Sequence, residues 1–289
     1  MQIEDLSWFP GHMTKTRRMI AAEIGKMDAV CEIVDARIPL SSRNPDVEEL
    51  AGGKPRLLIL NRVDQADPVQ TKRWAAWFRD RDYAVLEVNA KTGDGTARFS
   101  AAVRTLLAEK IAAWQAKGQV GRTVRVMVLG IPNVGKSTFI NRVAHRKTAR
   151  AEDRPGVTRS KQWVPVDRTL ELLDTPGILW PKFDDPQVGI RLAFTGAIKD
   201  DVVDLEDLAS RLMDYLRRHY PDALSERYKI APQDVDSGYD LLKEAARKRG
   251  FLMRGGEVDT ERMARILLDE FRAGRLGRFT LETVEDLEA

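Results

Sequence analysis

Gly130-Ile131-Pro132-Asn133-Val134-Gly135-Lys136-Ser137 fits G-x-x-x-x-G-K-[ST] at every fixed position, a spacing suited to holding phosphate. Its glycines let backbone N–H groups turn inward on an anion, and a helix starting at Ser137 adds the positive end of its dipole. Lys136 is placed to reach β- and γ-phosphates, and the Ser137 hydroxyl to ligate Mg²⁺; Asn133 to Thr138 form the expected contact set. A plain Gly-rich turn would need no particular neighbours. Here the apolar run Val124–Leu129 precedes the loop and a helical pattern, Ser137–Val143, follows it. The motif implies a nucleoside triphosphate and leaves the base open.

Two short segments address the base. Asn61-Arg62-Val63-Asp64 follows the apolar run Leu57–Leu60 and resembles the N-K-x-D element of GTPases, with Arg for Lys. The Asp64 carboxylate can accept both hydrogen bonds offered by guanine N1–H and the 2-amino group, a donor pair adenine lacks. Losing Asp64 would leave those donors unpaired, at about 1–3 kcal/mol in selectivity. Arg62 can stack over the base plane as Lys does. Asn89-Ala90-Lys91, after Val85–Val88, resembles the S-A-K element, whose Ala backbone N–H contacts guanine O6. Either segment alone arises often by chance. Three motifs, each just after a strand, point to GTP.

Asp174-Thr175-Pro176-Gly177 closes the run Leu170–Leu173 and fits D-x-x-G. Asp174 is the second expected Mg²⁺ group, and the Gly177 N–H faces the γ-phosphate. Between the phosphate loop and Asp174 lies the turn-rich Arg154-Pro155-Gly156-Val157-Thr158, which makes Thr158 the candidate switch residue closing on Mg²⁺.

The elements that must position these groups read as a doubly wound α/β fold. Val30–Val34, Leu57–Leu60, Val85–Val88, Val124–Leu129 and Leu170–Leu173 are nearly continuous apolar strands, the signature of a mostly parallel sheet covered on both faces. Helices are expected at Val69–Arg81 and Ala97–Gln115, and Lys117–Arg122 reads as a linker between two halves of the sheet. Beyond about residue 200 the strands stop. Leu205–His219, Ser237–Arg249 and Thr260–Ala273 read as amphipathic helices separated by Pro221, Pro232 and Gly255-Gly256. The expected division is 1–199, a P-loop domain with a basic N-terminal segment, and 200–289, a small all-helical domain.

At 289 residues, 43% hydrophobic and 31% charged, the chain has a globular composition. No run approaches the roughly 20 apolar residues of a membrane span. The start Met1-Gln2-Ile3-Glu4-Asp5 does not resemble a signal or transit peptide. The lone Cys31 sits in an apolar run and reads as core. A cytoplasmic protein without membrane contact, monomeric when free, is expected. Net charge is +3, divided as +6 over the first 204 residues and −3 over the rest, so RNA contacts in the tail need local patches.

With guanine readers first and the phosphate loop second, the motif order resembles that of the circularly permuted GTPases. Within them the chain resembles the ribosome biogenesis GTPase A family through Trp8-Phe9-Pro10-Gly11-His12-Met13, Asp35-Ala36-Arg37-Ile38-Pro39 and the motifs above. This resemblance implies a GTPase that binds GTP and GDP, acts on the immature large ribosomal subunit and its rRNA, and is activated by it. It also implies two roles. Signalling GTPases place glutamine directly after D-x-x-G, where this chain has Ile178, and His12 is the family's substitute for that catalytic group. Asn133 resembles the asparagine of potassium-activated GTPases, in which K⁺ beside the phosphates supplies positive charge.

Three basic clusters are candidates for rRNA: Lys15, Arg17, Arg18 and Lys26; Arg247-Lys248-Arg249-Gly250-Phe251; and Arg272, Arg275 and Arg278 with Phe279. Basic groups neutralise phosphates and aromatics stack on unpaired bases. The function expected is a GTPase that drives or checks a late step of large-subunit assembly. The alternative is a GTP-dependent switch acting on a non-ribosomal partner.

Overall fold

The computed structural model describes residues 11–145, 161–180 and 183–287. These form two compact units, one of residues 11–180 with 282–287, the other of 183–281.

The first unit runs α1 (Gly11–Ile24), β1 (Ala29–Asp35), α2 (Asp46–Ala51), β2 (Arg56–Asn61), α3 (Pro68–Arg79), β3 (Ala84–Glu87), α4 (Phe99–Leu106), α5 (Ala108–Ala116), β4 (Val124–Leu129), α6 (Lys136–Val143), β5 (Gln162–Asp167) and β6 (Leu170–Asp174). Its strands make one sheet in the order β3-β2-β1-β4-β6-β5. All neighbours are parallel except β5, which runs antiparallel on β6. The α/β, mostly parallel expectation holds, with helices flanking the sheet.

Side chains alternate across a strand, and both faces of this sheet are apolar. Val30, Met127, Leu129 and Leu173 meet Ile20 of α1 and Val47 and Ala51 of α2. Val34, Leu58 and Leu60 meet Trp74, Ala75 and Phe78 of α3. Cys31, Ile33, Leu57, Ile59, Val126 and Val128, also buried, alternate with these. The buried Phe99 of α4 and Phe139 of α6 meet edge-on at 5.2 Å. All seven residues of β1 are buried, which is why its sequence is apolar apart from Glu32 and the terminal Asp35.

β5 escaped the sequence because it is an edge strand: in Gln-Trp-Val-Pro-Val-Asp only Val164 is buried, and Pro165 cannot donate to a ladder. The helix expected over Ala97–Gln115 is two, α4 and α5, meeting at Leu107. The exposed Lys117–Arg122 does link the β1–β3 half to β4–β6.

The second unit contains α7 (Pro186–Phe194), α8 (Leu205–His219), α9 (Pro221–Tyr228), α10 (Gly238–Lys248) and α11 (Thr260–Arg272). Capping carboxylates or hydroxyls start its principal helices: Asp204 accepts from Glu206 and Asp207 N–H, Ser237 from Asp240 N–H, and Asp259 from Arg262 N–H. The boundary expected after residue 199 differs from this division. α7 belongs with the helices because Arg272 of α11 donates to the Ala193 and Phe194 carbonyls at its end, at 2.9 and 3.1 Å. The segment 282–287 returns to the first unit, where Trp74 Nε1 donates to the Glu282 carbonyl at 2.9 Å.

Candidate functional site

Parallel strands deliver their carboxyl ends to one edge, where ligand sites of open α/β sheets form. That edge receives Asp35 from β1, Asn61–Asp64 from β2, Asn89–Lys91 from β3, Gly130–Lys136 from β4 and Asp174–Gly177 from β6.

Asn61 joins two of these segments. Its Nδ2 donates to the Val134 carbonyl at 2.8 Å, and its Oδ1 accepts the Ala90 N–H at 3.1 Å. Gly135 makes the approach possible. With φ at 95°, a Cβ there would stand 2.5 Å from Asn61 Nδ2. Gly177 plays the matching part from β6, since a Cβ would meet the Pro132 backbone at 2.8 Å. The next N–H, of Ile178, donates to the Gly130 carbonyl at 3.3 Å. Ile178 itself is 0% exposed in the cluster with Ile20, Met127 and Leu173, so no group at this position can orient a water.

Lys136 and Asp174 share the buried floor. Lys136 is 6% exposed, and its ammonium donates to the Gly130 and Ile131 carbonyls at 3.1 and 2.9 Å. Burial pulls its pKa down to about 8, with the Asp174 charge opposing. Asp174 is 1% exposed. Burial pushes its carboxyl up to about 6, against the Lys136 charge, the Thr175 N–H and the Ser137 hydroxyl. Asp174 Oδ1 is buried without a hydrogen-bond partner. An unpaired buried carboxylate oxygen beside a serine hydroxyl is a donor set that suits a hard cation such as Mg²⁺.

Within the base-reading segments, two of the expected groups bond to the protein itself. Arg62, in the left-handed region at φ 64°, donates Nη2 to the Asn133 carbonyl at 2.8 Å and places Nε 3.7 Å from Asp35 Oδ2. It ties β2 to the phosphate loop. The Ala90 N–H assigned to guanine O6 is given to Asn61, while Asn89 Oδ1 accepts the Lys91 and Thr92 N–H at 3.0 and 3.2 Å. Asn in place of Ser at 89 thus supplies a loop-closing acceptor. Asp64 and Lys91 are exposed, and among the described residues the Asp64 carboxylate has no hydrogen bond or ion pair. Asn133 stands at φ 58° within the loop. Thr158 lies outside the described residues. His12 is the second residue of α1, and its side chain also lies outside them.

Asp35 and Arg37 carried no chemistry in the sequence reading. Arg37 is 0% exposed and grips Asp35 with Nε at 2.9 Å and Nη2 at 2.7 Å. Burial would raise the Asp35 pKa, but Arg37 and Arg62 hold it below the ordinary carboxylate range. The Asp35 N–H donates to Ser42 Oγ at 2.9 Å. One residue earlier, Ser41 N–H and Oγ bond the buried Glu282 carboxylate at 2.9 and 2.6 Å, and Leu40 N–H also donates to it. A D-x-R spacing could have suggested the ion pair. Nothing in the sequence links Glu282 to a loop 241 residues earlier.

The basic clusters are only partly free. Arg17 pairs with Asp46 and Glu49, and Lys26 with Glu23, while Lys15 and Arg18 are exposed. Arg249 pairs with Glu270, Arg272 with Asp200, and Phe279 is buried against Tyr220 and Phe271. These three hold the helical unit together. Phe251 is half-buried beneath Arg262; Arg247, Lys248, Arg275 and Arg278 are exposed.

Comparison with known proteins agrees with this geometry. A family described as 50S ribosome-binding GTPase matches residues 125–231, starting in β4 just ahead of the phosphate loop. "Ribosome biogenesis GTPase A" of Bacillus cereus is 46% identical over 283 residues, covering 97% of this chain and 95% of the relative. GDP-bound TM YlqF superposes with a TM-score of 0.67 at 26% identity, over 93% of this chain and all of that one. GNP-bound YlqF from T. maritima gives 0.64, again at 26% identity, over 93% of this chain and 98% of that one. With a relative 46% identical over 97% of its length, the chain belongs to the ribosome biogenesis GTPase A family, GTP-hydrolysing enzymes of ribosome biogenesis.

Proposed function

We propose that this GTPase docks on the immature large ribosomal subunit and that hydrolysis drives or checks a late assembly step. The observation that carries the site is the pair of hydrogen bonds at the Asn61 amide, which joins the ends of β2 and β3 to the phosphate loop despite their reversed order in the chain. In this reading Asp64 accepts the guanine N1–H and 2-amino group, with Asn61, Arg62 and Asn89-Ala90-Lys91 shaping the pocket around them. Asn133 to Thr138 wrap the phosphates, Lys136 turns its ammonium to the β- and γ-phosphates, and Gly177 N–H meets the γ-phosphate.

Ser137 and Asp174 hold Mg²⁺, joined by Thr158 in the GTP state; the unpaired Asp174 Oδ1 supports this. When bound, Mg²⁺ would neutralise charge on the β- and γ-phosphates. K⁺ beside Asn133 and a water-orienting His12 complete the assignment, both taken from the family resemblance. His12→Ala should then remove subunit-stimulated turnover, and Na⁺ should support hydrolysis less well than K⁺.

The large subunit is the proposed partner because the matching family is described as 50S ribosome-binding. Its rRNA would be met by the exposed Lys15, Arg18, Arg247, Lys248, Arg275 and Arg278, the last four in the helical unit. No helix among the described residues is long and apolar enough to cross a membrane, and a cytoplasmic monomer when free belongs to the same proposal. Sedimentation with immature large subunits tests it. Binding should be tighter with a non-hydrolysable GTP analogue than with GDP and should fall steeply with salt. Binding indifferent to nucleotide and salt would contradict it.

A further inference from the structure

We propose that Arg142 is a positioning residue for the guanine-reading loop, an inference that rests on the guanine site described above. Arg142 lies on α6, six residues beyond Lys136. Its Nε donates to the Ala90 carbonyl at 3.4 Å and its Nη2 to the Lys91 carbonyl. The N–H groups of the same residues are held from the other side, Ala90 by Asn61 Oδ1 and Lys91 by Asn89 Oδ1. Both edges of the 90–91 segment are therefore fastened. The carbonyl edge is fastened to the helix that starts at the phosphate-holding lysine.

Gly93 leaves the room this requires. A Cβ there would lie 3.1 Å from Arg142 Cδ and 3.3 Å from Nε, and φ at 97° already disfavours a side chain. A guanidinium suits the task because its planar fork presents several N–H donors to two neighbouring carbonyls; an ammonium offers donors from one point. Arg142 touches neither phosphate nor base in this scheme. It sets the distance between the loop that reads the base and the helix that anchors the phosphates, so its effect should appear in base discrimination and not in phosphate affinity.

The test compares GDP with ADP on the full chain. ADP can use the phosphate contacts but not the base contacts, so it reports the phosphate loop alone. Arg142→Ala should weaken GDP about tenfold, because the 90–91 segment is no longer held in place for the base, and leave ADP affinity unchanged even though the loss of two hydrogen bonds lowers the melting temperature slightly. Arg142→Lys should restore part of the loss. Unchanged GDP affinity, or equal weakening of GDP and ADP, would overturn the inference, the second by showing that Arg142 supports only the helix. A failure of the unsubstituted protein to prefer GDP over ADP would instead overturn the guanine-site reading, and this inference with it.

Discussion

The side-chain amide of Asn61 donates to the Val134 carbonyl at 2.8 Å, fastening the end of β2 to the phosphate loop 73 residues later. The same side chain takes the Ala90 N–H, so three segments meet at one buried residue. Asn61→Ala should leave Val134 O and Ala90 N unpaired. We expect about 1–3 kcal/mol lost, read as a lower melting temperature and weaker GDP binding together. A variant that melted lower yet bound GDP normally would show that Asn61 serves the fold alone.

Asp174 titrates near 6 in the folded chain against an ordinary 3.8. Between those pH values the folded state holds more protons than the unfolded one, so this group's effect on stability becomes less favourable as pH rises. Above pH 6 the difference corresponds to about 3 kcal/mol of destabilisation. Asp174→Asn should therefore raise the melting temperature at pH 7.5 in the presence of a chelator, with the gain shrinking toward pH 4. The same variant should lose the extra stability that Mg²⁺ and GDP confer. A variant less stable than the parent at pH 7.5 without metal would contradict this account.

Glu282 places a buried carboxylate on the N–H groups of Leu40 and Ser41, in the loop that follows Asp35. Glu282→Ala should cost about 2–4 kcal/mol, because three donors, the Leu40 and Ser41 N–H groups and the Ser41 hydroxyl, lose a charged acceptor. Urea unfolding followed by tryptophan fluorescence would measure it. Ending the chain at Leu281 should cost more, since Trp74 Nε1 then also loses its acceptor. Equal stability of the shortened and full chains would remove any structural role for the tail.

In the helical unit Glu270 is bonded by Arg227, Arg249 and the Tyr228 hydroxyl. Burial would raise its pKa, but these partners hold it below the ordinary glutamate range. Its stabilising contribution is therefore present above the unfolded pKa of about 4.5 and lost as pH falls through the lower folded value. Glu270→Gln should cost about 2 kcal/mol at pH 7 and little near pH 3, measured by urea midpoints at both. A loss independent of pH would place the effect in packing and not in charge.

The nucleotide motifs were legible because each is local, a few residues following an apolar strand end. The buried strands were legible for the same reason, as continuous apolar runs. What escaped was edge or long-range structure. β5 buries only Val164 and carries no pattern; α7 does carry a local signal, the Asp185 cap ahead of Pro186, although its contact with Arg272, 78 residues away, is not legible. The basic clusters misled at Arg249 and Arg272, since their carboxylate partners Glu270 and Asp200 are distant in sequence. The bond from Arg62 to Asn133 O is likewise invisible in the sequence, because it depends on β2 and β4 bringing their carboxyl ends to one edge.

The most direct test of the central claim is phosphate release from GTP in K⁺ and Mg²⁺ buffer, with and without purified immature large ribosomal subunits, with ATP as control. The account predicts slow hydrolysis by the free protein, strong stimulation by the subunits, and no comparable turnover of ATP. Equal hydrolysis of ATP would contradict the guanine assignment of Asn61 and Asp64, and GTP hydrolysis indifferent to the subunits would contradict the proposed partner.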